Sequence, residues 1–286
     1  RALQTRLHAD NIEDIVASIA LIRPGPIQGN MVEPFIARKN GLAPVRYTHP
    51  DLEPILAKTY GVVLFQEQVL EIAVTIAGFS PGEADRLRKA MTRFRSQEEM
   101  DQIGQEFIAK ALKRGVPHDV AETIFSYIVG YAGYGFCEAH AAAFSDTAYK
   151  TAYLVAHHPA EFFAAILSHQ PMGFYPPGTI ITEAKRRGIR ILPPDVNKSY
   201  TRFTVENGAI RVPLTQVEGL SASTAQIIVT GRADKPYQSL FDFCQRISVP
   251  RDVARNLIQV GAFDALHPNR RQLLWQLCET LSMCDQ

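Results

Sequence analysis

Apolar residues recur at helical spacing through most of this chain and at strand spacing in only one short region. Ile12, Ile15, Ile19 and Ile22 share one side of a 3.6-residue helix. Asp10-Asn11-Ile12-Glu13 supplies capping-box spacing ahead of that run, and Pro24 ends it. Arg23-Pro24-Gly25-Pro26 then predicts a stiff turn, because the prolines fix φ and the glycine permits a reversal. A second helix is predicted over 65–77, with Val69, Ile72, Ala73 and Ile76 inward and Gly78 as its left-handed terminator. The same periodicity predicts helices over 97–114, 117–129, 139–156, 160–167 and 179–187.

The texture changes near Gln170, where Pro171, Pro176, Pro177, Pro193 and Pro194 cut the chain into short elements. Ile189 to Leu192 reads as a strand. Phe203-Thr204-Val205 and Ile210-Arg211-Val212 flank Asn207-Gly208, a pair suited to the tight turn of a hairpin. Short helices follow, over 222–229, over 251–259 and from about Asn269. The expected fold is mainly α with a small β portion. A multi-helix domain over 1–200 is followed by a β-hairpin and helix-turn-helix pairs over 201–286.

Composition adds limits. The chain has 286 residues, 46% hydrophobic and 21% charged, with a net charge of +1, so any preference for a charged partner must come from local clusters. Cys137, Cys244, Cys278 and Cys284 form no C-x-x-C pair, which favours buried thiols in a reduced cytoplasmic protein over a zinc or disulfide framework. There is no signal peptide and no long uncharged apolar run, so no membrane partner is expected. The chain opens at Arg1 without a methionine, and both ends read as cut from something longer.

The cluster that matters is 80–95. Ser80-Pro81-Gly82-Glu83 offers a hydroxyl N-cap, proline at the first helical position and a glutamate three residues on. Leu87, Ala90, Met91 and Phe94 make an apolar stripe, and the remaining positions carry Arg86, Arg88, Lys89, Arg93 and Arg95. Five cations without interspersed acids repel one another unless an anion lies between them. Arginine's planar fork suits phosphate, and lysine adds a point charge. Phosphate binding is therefore expected, against the plainer alternative of a basic surface helix.

Several ordered segments resemble the alpha subunit of bacterial DNA polymerase III, the C-family replicative polymerase. They are Ala20-Leu21-Ile22-Arg23-Pro24-Gly25-Pro26, Tyr60-Gly61-Val62-Val63-Leu64-Phe65-Gln66-Glu67-Gln68-Val69 and Ala84-Asp85-Arg86-Leu87-Arg88-Lys89-Ala90-Met91. Ala132-Gly133-Tyr134-Gly135-Phe136, His140, His158-Pro159-Ala160-Glu161-Phe162 and Ile191-Leu192-Pro193-Pro194-Asp195-Val196-Asn197 continue the series. The resemblance implies a fingers domain followed by the start of a clamp-binding domain with tandem helix-hairpin-helix elements. It implies that Arg88 and Lys89 reach the triphosphate of the incoming dNTP. Arg23 and His140 would sit near the nucleotide or primer-template. For Arg23 a helix C-terminal cation, and for His140 a hydrogen-bonded core histidine, remain alternatives.

Two turns of the form apolar-x-Gly-apolar stand where the resemblance places DNA-holding hairpins: Val217-Glu218-Gly219-Leu220-Ser221 and Val260-Gly261-Ala262-Phe263. Backbone N–H groups at a helix N-terminus favour phosphate and read backbone rather than sequence. Gly219, Ser221, Gly261, Arg270 and Arg271 are the expected contacts there, with Arg86, Arg93 and Arg95 on the basic helix. Ser221 stands where such hairpins commonly carry a second glycine, and a glycine-capped turn is the alternative at each. No Asp-x-Asp occurs in the chain, and the family's metal-binding aspartates belong to the palm. No catalytic residue or metal ligand is therefore expected here, and Mg2+ is expected only in the full-length polymerase, as are a sliding clamp and replisome partners. A stand-alone DNA-binding module of a repair or architectural protein is the competing reading. Gln170-Pro171-Met172-Gly173-Phe174-Tyr175 is similar to the family's error-prone paralogue, but replicase and paralogue stay undivided.

Overall fold

In the computed structural model the structure describes residues 2–22, 31–93, 97–131 and 136–284. Arg23, Arg95 and the Gly133-Tyr134-Gly135 segment lie outside them, as does the side chain of Arg93. Two compact units divide the chain, Arg1–Thr151 and Ala152–Gln286. The sequence boundary near residue 200 thus falls inside the second unit, because helices that precede it pack on the small sheet that follows it.

The first unit is helical: α1 (Ala2–Leu7), α2 (Ile12–Leu21), α3 (Val32–Lys39), α4 (Glu53–Leu56), α5 (Gln66–Ala77), α6 (Pro81–Arg93), α7 (Gln97–Lys113), α8 (His118–Tyr131) and α9 (Glu138–His157), which runs across the division. One core gathers Ile72, Ile76, Leu87, Phe107 and Ile124 between α5, α6, α7 and α8. Another joins Leu7, Val16, Leu21, Phe35 and Leu64. On α5 the four inward residues are the expected ones, and Gly78 takes φ +67.

On α2 the expectation fails in detail. Asn11, not Asp10, caps the helix by accepting from the Asp14 N–H, and Asp14 in turn accepts from the Asp10 N–H. The buried face is Val16, Ala17, Ala20 and Leu21, whereas Ile12 and Ile22 are exposed. The rotation has a cause: Asp14, with its side chain 4% exposed, pairs at 3.0 Å with Lys39 of α3. A buried carboxylate is tolerated only with such a partner.

In the second unit α10 (Pro159–Ser168) and α11 (Pro177–Arg186) precede β1 (Ile191–Leu192), β2 (Thr204–Glu206) and β3 (Ala209–Arg211). The sheet order is β1-β3-β2, β3 pairing antiparallel with β2 and parallel with β1. The hairpin is the expected one, with Asn207 at φ +51 and Gly208 at φ +74, a combination that suits the twist of the strands. Phe163, Leu167, Ala184, Phe203 and Ile210 form a core between α10, α11 and the sheet. Beyond it come α12 (Ala222–Gly231), α13 (Leu240–Arg246), α14 (Arg251–Gln259) and α15 (Arg270–Cys284) around Tyr237, Phe243, Leu257 and Phe263. Arg232, buried, ties this core together by donating to the Val196 carbonyl at 2.7 Å, with its guanidinium over Tyr200. The fold is thus mainly α with a three-stranded sheet.

Candidate nucleotide-phosphate helix and DNA-contacting turns

The start of α6 is fixed as its sequence implies. The Ser80 N–H donates to Glu83 at 2.8 Å, and the Glu83 N–H returns to the Ser80 hydroxyl at 3.4 Å. Lys110 of α7 also pairs with Glu83, and this bond, reinforced by Ser80, lowers the Glu83 carboxyl from 4.5 to about 2. Ala84, Leu87, Ala90 and Met91 are buried in the core with α5 and α7. The helix is therefore held at its start, along its apolar stripe and on its flank, and this rigidity lets its remaining side chains keep fixed positions.

Those side chains are not the unneutralised set that the sequence suggested. Asp85 lies one turn before Arg88 and Lys89 and takes both, at 2.8 Å and 2.7 Å. The two bonds hold the Asp85 carboxyl below its ordinary value, Lys89 contributing more than Arg88. Arg86 pairs with Glu106 of α7. The signal was in the sequence: Asp85 is three and four residues ahead of the pair, the spacing that brings helix side chains together. Arg88, Lys89 and Asp85 are 37%, 61% and 43% exposed, and ion pairs so open to solvent are weak enough for a stronger anion to replace one member.

His140 stands near the start of α9. It is exposed, with ring centroids 5.4 Å from Phe136 and 4.6 Å from Phe144, so the core-histidine alternative does not hold. The entry to α9 is tied to the start of α5 and to Lys58. The Gln66 N–H donates to the Phe136 carbonyl at 2.9 Å, the Glu138 N–H donates to Glu67 at 3.0 Å, and Lys58 pairs with Glu138 at 2.6 Å.

The two glycine turns differ. Gly219, at φ +79, leads into α12, where Ser221 is the N-cap and accepts from the Thr224 N–H at 3.1 Å. The hydroxyl occupies one of the free amide donors, so an incoming phosphate must share the site with it. Gly261, at φ +85, instead terminates α14: its N–H reaches the Ile258 carbonyl and the Ala262 N–H reaches Leu257. This is the carbonyl end of a helix, where an anion is disfavoured. The next helix begins only after Asn269, which accepts from the Gln272 N–H at 3.1 Å. Arg270 lies over Gly261, bound through two nitrogens to Asp264 and through a third to the Gln259 carbonyl at 2.9 Å. Arg270 and Gly261 are thus parts of a helix terminator, in which Arg270 is already paired with Asp264. Arg271 is exposed and free of any ion pair with a described residue.

Among the described residues no group of three or more His, Cys, Asp or Glu side chains could hold a metal ion. Nor is any helix long and apolar enough to cross a membrane. Cys137 and Cys278 are exposed and only Cys244 of the described thiols is buried, against the expectation of buried thiols throughout.

Residues 1–115 match the bacterial DNA polymerase III alpha subunit finger domain, and residues 188–273 match a helix-hairpin-helix motif. The chain belongs to the bacterial DNA polymerase III alpha-subunit family, as a segment carrying those two parts. Among its relatives is the error-prone DNA polymerase of Symbiobacterium thermophilum, 54% identical over 98% of this chain and 28% of that protein. Those of Corynebacterium diphtheriae and Bdellovibrio bacteriovorus are 44% and 42% identical, over 95% and 98% of this chain. The chain spans about a quarter of the length of the curated relatives it matches.

Proposed function

We propose that this chain is the nucleotide-positioning and DNA-holding segment of an error-prone DNA-directed DNA polymerase, a nucleotidyltransferase of the cytoplasm. Fingers would occupy 1–200 and the helix-hairpin-helix portion 201–286. The observation that carries the proposal is the pairing on α6: two adjacent cations, Lys89 exposed and Arg88 half-buried, share one aspartate on a helix fixed by its cap and core, within the stretch matched by the finger model. A triphosphate carries several negative charges and accepts bidentate bonds, so it outcompetes one carboxylate for Arg88 and Lys89. Asp85 then serves as a placeholder that keeps both side chains extended and aligned until a nucleotide arrives. Holding the triphosphate in place lowers the barrier to attack by orientation and by neutralising charge that builds on the leaving group.

His140, exposed beside two rings, and Arg23 are assigned to the surroundings of the nucleotide or primer-template, and Arg86, Arg93 and Arg95 to DNA. The Gly219–Ser221 turn and Arg271 would contact duplex backbone. Mg2+, the sliding clamp and other replisome subunits would engage other parts of the full-length chain; the residues described here do not form a metal cluster. Close similarity to proteins named error-prone DNA polymerase favours that class over the main replicase, and the finger match disfavours a stand-alone DNA-binding module.

Lys89 provides the test. In the full-length polymerase on primer-template, a correct dNTP should slow acylation of Lys89 several-fold, whereas duplex DNA alone should not. Protection by duplex without nucleotide would assign the helix to DNA holding instead.

A further inference from the structure

Within the second unit, α14 and α15 pack through Leu257, Leu273 and Leu277 and leave a groove of about 640 Å³ along their outer side. Arg251, Arg255 and Gln259 stand along one wall, each one turn from the next. Leu274 and Leu277 form the floor, and Cys278 closes the other side. A second depression of about 260 Å³ continues from Leu274 and Cys278 to Arg271 and Trp275. Arg251, Arg255 and Arg271 form no ion pair with a described residue. Arg251 only donates to the Cys278 sulfur at 2.8 Å, and Asp252, which also lines the groove, pairs with none of them. Trp275 is 86% exposed. An exposed indole beside Arg271, continuous through Leu274 and Cys278 with a groove whose Arg251 and Arg255 hold no ion pair with a described residue, has no role in holding this unit together.

The geometry points to a binding site for single-stranded DNA in this groove, with phosphates on Arg251, Arg255 and Arg271 and an unpaired base stacked on Trp275. It adjoins the Gly219–Ser221 turn, because Asp252 of its wall lies 4.0 Å from where a Cβ on Gly219 would stand, it shares Arg271 with the duplex contacts proposed above, and it does not depend on α6. Arg251 and Arg255 are separated by about 6 Å along the helix, from a rise of about 1.5 Å per residue, a step that neighbouring phosphates of an extended strand can match. Stacking on an aromatic ring with arginines tracking the backbone is the general device for holding single strands irrespective of sequence. Duplex DNA keeps its bases stacked on one another and has none to offer the indole. An acidic peptide could use the arginines but does not require the exposed ring.

Trp275 is the only tryptophan of the chain, so its fluorescence reports on this groove alone. Titrating the chain with oligo-dT should quench that emission with saturation. Arg255→Ala and Arg271→Ala should each weaken binding by about tenfold and lower the log–log salt slope by about 0.7, and Arg255→Lys should recover part of the loss. Trp275→Phe, whose folding is checked by circular dichroism, should bind but give no signal. In the full-length polymerase, photo-crosslinking with an iododeoxyuridine oligonucleotide should map to Trp275. Absence of quenching by oligo-dT, equal quenching by poly-glutamate, or crosslinks that avoid α15 while the oligonucleotide is bound elsewhere would each overturn the assignment.

Discussion

At the residue scale, Asp85 and Glu83 are two acids of one helix with different work. Glu83 closes a cap and meets Lys110, and its carboxyl is held at about 2 in place of 4.5. A group whose folded value is depressed stabilises the fold above its unfolded value, and that contribution fades as pH falls toward the folded value. The destabilisation caused by Glu83→Gln should therefore be full above pH 4.5 and vanish as pH falls toward 2, measured by urea unfolding at several pH values. A pH-independent difference would show that the cap does not depend on the charge. Asp85→Asn should leave α6 folded and lower the nucleotide KM of the full-length polymerase, because the triphosphate no longer competes with a carboxylate. A raised KM would make Asp85 a positioning residue and not a placeholder. The capping box and the buried positions Leu87, Ala90 and Met91 of this helix were legible in the sequence, while Phe94 and Arg95 lie outside the described residues. Asp85, one turn behind the cations, stands at the spacing that pairs helix side chains.

At the element scale the sequence was most readable where one local force decides. Gly78 and Gly208 take the left-handed conformations their helix end and hairpin demand, and α14 begins and ends where its periodicity and flanks say. It was least readable where a long-range partner intervenes. The pair between Asp14 and Lys39 turns α2 away from its isoleucine stripe, and the parallel pairing of β1 with β3 joins strands some 20 residues apart. Gly261 belongs to the second kind: the turn was visible, but the Arg270–Asp264 cover that makes it a helix terminator was not. Gly261 and Gly115 both have φ near +85, yet a Cβ on Gly115 meets open space whereas one on Gly261 would lie 2.7 Å from an Asp264 oxygen. Gly115→Ala should cost about 1 kcal/mol for the backbone alone. Gly261→Ala should cost about 2 kcal/mol more from overpacking, read as a larger fall in Tm. Equal costs would mean that Arg270 and Asp264 move aside freely.

At the scale of the whole molecule, the finger match and the helix-hairpin-helix match fall on separate stretches of sequence, and each compact unit has its own cores. Charge is distributed accordingly: an overall +1 conceals cations on α6 and around the groove between α14 and α15. The exposed Trp275 escaped sequence reading because a lone tryptophan at helical spacing looks like core until its burial is seen. Duplex binding by the chain should fall with salt at a log–log slope of about one for each phosphate engaged, and salt-independent binding would contradict a backbone grip. The most direct test of the central claim is single-nucleotide incorporation by the full-length polymerase carrying Arg88→Ala. A triphosphate contact requires a nucleotide KM raised about tenfold or more, or a comparable fall in kcat, with primer-template affinity unchanged. Weakened DNA binding with unaltered nucleotide kinetics would contradict it.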